Sequence, residues 1–81
     1  MNGRHVLVVD DDAALLRVLA VTLRAHGWQV STATTGAGAL RAVAHEAPDV
    51  VVLDLGLPDA DGVEVLARLR AASEVPVVVL S

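Results

Sequence analysis

The chain has 81 residues, room for one small domain, and its balance of 54% hydrophobic to 20% charged residues excludes a disordered segment. A formal net charge of −4, no lysine and a single aromatic residue, Trp28, exclude a nucleic-acid surface, which needs clustered cations and stacking rings. The absence of cysteine excludes disulfides, thiolate metal sites and a thiol nucleophile.

Residues 5–10 form a short, Val-rich run that closes on acid, which predicts a buried strand. Residues 13–26 then carry Leu16, Leu19, Ala20 and Leu23 at helical spacing, with Asp12 placed to cap the helix and Gly27 placed to end it. A second strand is expected over 28–33. Thr35 can cap a second helix over 36–47, with Leu40, Val43 and Ala44 inward, and Pro48 stops it. The most strand-like segment is 50–53, four apolar residues closing on Asp54. Residues 55–61 hold Gly56, Pro58 and two acids, which is loop chemistry. A third helix over 62–72 presents Val65, Leu66 and Leu69, and a fourth strand covers 75–80.

The order βαβαβαβ implies a parallel sheet with right-handed crossovers and helices on its faces. Ligands of such sheets bind beyond the carboxyl ends of the strands, where strand order reverses. Two strands end there in acid: Asp10, Asp11 and Asp12 follow the first, and Asp54 follows the third. Acids after a strand often only cap the next helix, and Asp12 suits that role. A second acidic strand end shifts the balance toward a metal site, because crowded carboxylates repel one another unless a cation sits between them. An oxygen-only ligand set suits magnesium, with manganese as the alternative. His5, His26 and His45 share no metal-ligand spacing and read as surface or packing residues.

The segments HVLVVDDDAALLRVL, VVLDLGLPDADGVEVLARLR and VPVVVLS resemble the receiver domains of two-component response regulators. The wording DLGLPDADG with VPVVVLS is most similar to winged-helix transcriptional regulators of the potassium-responsive type. The resemblance implies a flavodoxin-like, doubly wound parallel sheet in strand order 2-1-3-4. It implies Asp54 as phosphoacceptor, and Asp10, Asp11, Asp54 and the Gly56 backbone carbonyl as Mg2+ ligands. Ser81 is then the switch hydroxyl, while Pro58 and Gly62 shape the loop. The implied partners are a sensor histidine kinase and a DNA-binding output domain outside this segment, with no membrane contact and a cytoplasmic location. Residues 1–81 would make one receiver domain, a signalling module that phosphorylates its own Asp rather than an enzyme.

That family's fold has a fourth helix, a fifth strand with a phosphate-binding lysine, and a fifth helix, all beyond this sequence. An incomplete receiver is therefore expected, with an exposed fourth strand open to self-association or domain swapping. Two rival readings come from different classes. Asp59-Ala60-Asp61-Gly62 mimics the opening of a haloacid-dehalogenase phosphatase, but there the first Asp directly follows the strand, a place Asp54 holds here. The other rival is a non-signalling receiver that serves only as a dimerisation module.

Overall fold

The computed structural model describes residues 4–57 and 61–80. Its elements run β1 (His5–Val9), α1 (Ala13–Ala25), β2 (Gln29–Ala33), α2 (Gly36–Glu46), β3 (Val50–Asp54), α3 (Gly62–Ala72) and β4 (Val77–Leu80). All four strands are parallel, in the order β2-β1-β3-β4. This is the expected doubly wound arrangement: β1 lies inside, and strand order reverses between β1 and β3.

Each strand alternates its side chains between the two sheet faces, and both faces are covered. Leu7, Val9, Val51 and Leu53 face α2 and α3, where they pack with Ala39, Val43, Val65 and Leu69. Val6 and Val8 face α1 and pack on Leu16, with Leu19, Leu23, Trp28 and Val30 around them. The second face is thinner: Val50 and Val52 are only half-buried, and Val78 and Leu80 are exposed.

The helix ends follow from local chemistry. The Asp12 carboxylate accepts hydrogen bonds from the N–H groups of Ala14 and Leu15, and the Thr35 hydroxyl accepts from Gly38. Gly27 takes φ +93°, the left-handed geometry that ends α1. The structure differs from expectation at six boundaries, two of them the strand ends at Val9, where β1 stops short of Asp10, and at Asp54, to which β3 runs on. His26 is the cap of α1 rather than its last residue, and Trp28 precedes β2 rather than opening it. Ala47 adopts φ 47° and ends α2 one residue early, ahead of Pro48. Strand β4 begins at Val77 rather than residue 75, since Pro76 has no N–H to give a ladder. Within α2, Ala39 takes the buried place expected for Ala44, which is exposed.

Candidate phosphoryl and metal site

The register of β1 against β3 pairs Val9 with Leu53, so both chains reach the carboxyl edge of the sheet together. Asp10 follows Val9, and Asp54 follows Leu53. Carboxylate oxygens of Asp10, Asp11 and Asp54 consequently lie within 4.8 Å of one another. The three sit at different depths: Asp10 is 7% exposed, Asp54 half-buried and Asp11 exposed. Among the described residues, Asp10 is the only charged or polar side chain that is buried.

Local hydrogen bonds aim two of these groups. The Asp12 N–H donates to Asp10 Oδ1 at 2.9 Å, and the Gly56 N–H donates to Asp54 Oδ1 at 3.1 Å. The Asp12 bond favours the Asp10 anion and is the largest influence on it. Burial, the charge of Asp54, a side-chain hydrogen bond with Asp11 and the charge of Asp11 together outweigh it and leave the Asp10 pKa raised. Among the described residues no cationic side chain pairs with any of the three. A buried carboxylate beside two others, without a protein counter-ion, fits a hard divalent cation bound through oxygen. The three donors leave room for waters and phosphate oxygens, as magnesium requires.

The loop after β3 is held close to this edge. The Gly62 N–H donates to the Leu55 carbonyl at 3.2 Å, and a Cβ on Gly62 would stand 2.3 Å from Leu55 Cα. Only glycine permits that approach. Leu57 turns inward and is buried in the α2/α3 core, an anchor that reading 55–61 simply as a loop did not pick out. The Asp61 carboxylate accepts from the Val63 N–H and caps α3, so it is engaged locally, away from any phosphatase-like role. Pro58, Asp59 and Ala60 of the predicted loop lie outside the described residues, as does Ser81, the predicted switch hydroxyl. Ser81 directly follows Leu80, the residue in register with Asp54.

Residues 6–81 match the family described as the response regulator receiver domain. The chain belongs to that family. It is 58% identical over 76 residues to the transcriptional regulatory protein KdpE of Mycobacterium tuberculosis, a match covering 94% of this chain and 34% of that protein. It is 52% identical over 82 residues to the transcriptional regulatory protein PrrA of Mycobacterium leprae, covering 100% of this chain and 35% of that protein. The BeF3-activated N-terminal receiver domain of Klebsiella pneumoniae RstA superimposes with a TM-score of 0.89 at 32% identity, over 94% of this chain and 65% of that one. The chain thus spans about a third of the length of the curated relatives it matches. No helix among the described residues is long and apolar enough to cross a membrane.

Proposed function

We propose that this receiver domain accepts a phosphoryl group on Asp54, with a magnesium ion held by Asp10, Asp11, Asp54 and the Gly56 carbonyl. The observation that carries this reading is the approach of three carboxylates, within 4.8 Å, from two neighbouring strand ends. An Asp54 oxygen attacks phosphorus of a phosphohistidine or acyl phosphate, and the P–N or P–O bond to the leaving group breaks with its electron pair. The imidazole or carboxylate departs, and the product is an aspartyl phosphate. A bound divalent cation would spread the charge of the loose transition state and of the product. The Gly56 N–H bond to Asp54 Oδ1 orients one oxygen and leaves the other for attack.

The phosphodonor in this reading is a sensor histidine kinase in the cytoplasm, and the parent protein carries a DNA-binding output domain, as the resemblance to transcriptional regulators suggests. Residues 1–81 act as part of one receiver unit, with Ser81 bonding the new phosphoryl oxygens. Among the described residues strand β4 pairs on one side only, and Val78, Val79 and Leu80 are each at least 42% exposed. Pairing of that edge with another strand is part of the proposal, and concentration-dependent sedimentation tests it.

Intact mass after incubation with a small acyl phosphate tests the central step. One magnesium-dependent phosphoryl adduct is expected, absent from Asp54→Asn. An adduct that persists in that variant, or none with wild type, would overturn the assignment.

A further inference from the structure

We propose that the free edge of β2 docks an extended acidic segment of a partner protein as an added strand. The inference uses none of the three carboxylates of the proposed phosphoryl site and stands or falls separately from the function proposed there.

Among the described residues, strand β2 pairs only with β1. The Gln29 N–H donates to the Arg4 carbonyl and the Ala33 carbonyl accepts from Asp10, so residues 29, 31 and 33 turn their backbone groups toward β1. By the two-residue period of a strand, Val30 and Thr32 turn theirs outward. The Arg24 guanidinium donates to the Val30 carbonyl at 3.2 Å and screens the start of this edge. From Thr32 onward no side chain among the described residues does the same, and edge groups of this kind accept a further strand.

Charge selects the occupant. The chain is acidic overall and contains six basic residues, all arginine. Three of them flank this one edge. Arg17 and Arg24 line a groove of about 320 Å³ on its α1 side, and Arg41 with His45 lines one of about 410 Å³ on its α2 side. Thr32 and Thr34 border both grooves. All three arginines are exposed, and neither Arg17 nor Arg41 pairs with an acid among the described residues. Glu46, which borders the same groove as Arg41, is already engaged: its carboxylate accepts from the Ser31 hydroxyl and lies 3.5 Å from His5 Nε2. A strand whose alternate side chains are carboxylates presents its acids on one face, toward the cations of one of these two grooves, while its backbone meets Val30 and Thr32.

The test is titration of the 15N-labelled chain with a capped peptide of about eight residues alternating Val and Glu. Saturable shifts and slowed amide exchange are expected at Val30 and Thr32. Arg17→Glu/Arg41→Glu, checked for folding by circular dichroism, should weaken binding by about tenfold or more. Thr32→Pro removes an outward N–H without changing charge and should weaken it as well. Absence of shifts at millimolar peptide, or equal binding of the Val-Lys counterpart, would overturn the proposal. So would the same shifts from inorganic phosphate alone, which would make this a free-anion site, or tighter binding of a thymidine octamer, which would make it a nucleic-acid surface.

Discussion

At the N-terminal end of the sheet, Glu46 and Asp49 are each matched by a neighbouring donor. The Ser31 hydroxyl donates to Glu46, and the His5 N–H donates to Asp49 at 2.7 Å. Because the single hydroxyl proton of Ser31 goes to Glu46, its oxygen accepts from His5 Nε2 at 2.7 Å, which fixes the proton on that nitrogen. At the carboxyl end, Asp10 and Asp54 each receive one backbone N–H, and three carboxylates still face one another. Equal residue types thus produce a finished network at one end and an unneutralised one at the other. What marks a metal site is the crowding of carboxylates on one another without a cation between them, rather than the number of acids.

The sharpest way to break this contrast is Asp54→Asn, which should abolish the phosphoryl adduct completely in an intact-mass assay while leaving the far-ultraviolet circular dichroism unchanged. Next is Gly62→Ala. The added Cβ cannot be placed without moving the Leu55 backbone, and urea denaturation should show a loss of about 3 kcal/mol. Magnesium at about a hundred times its dissociation constant should then stabilise the wild-type chain by about 2.7 kcal/mol. That gain should vanish in Asp11→Ala and survive in Glu46→Gln, whose carboxylate lies at the matched end; a gain that survives in both would dissolve the distinction. At the finished end, Ser31→Ala should cost about 1 kcal/mol in the same denaturation, with the magnesium effect unaltered.

The smallest effect is one of pH. The Asp10 pKa is raised above that of an ordinary aspartate, so the folded state holds this proton more tightly than the unfolded chain does. Its contribution to stability is complete below the unfolded value and is lost as pH rises through the folded one. Without divalent cations, stability should therefore carry a falling component from about pH 4 upward, and Asp10→Asn should flatten it. Urea midpoints measured in chelator across that range check the sign.

Much of this was legible in the residues. Val6 to Val9 and Val50 to Leu53 could be read as strands because each is uninterruptedly apolar, and Asp12, Thr35 and Gly27 declared the helix ends by their own chemistry. The pairing of Asp10 with Asp54 was inferable only by assuming that β1 and β3 are neighbours, a fact of register that no local pattern contains. The inward turn of Leu57 and the contact between Gly62 and Leu55 were not legible, since both depend on the path of a loop across a packed core. The Glu46, Ser31 and His5 network escaped for the same reason: its members come from α2, β2 and β1 and meet only after the crossovers form.

The placement of β1 has a consequence for the order of events in folding. This first strand has both its partners downstream, with Val6 opposite Val30 on one side and Val50 on the other. A ribosome emitting the chain from its N-terminus releases a segment of four nearly fully buried residues, Val6 to Val9, long before either neighbour exists. Such non-local, parallel pairing is slow because loop closure precedes any gain from contact. During synthesis, therefore, the most deeply buried strand among the described residues emerges ahead of both its neighbours, and helix α1 is the first element able to cover it.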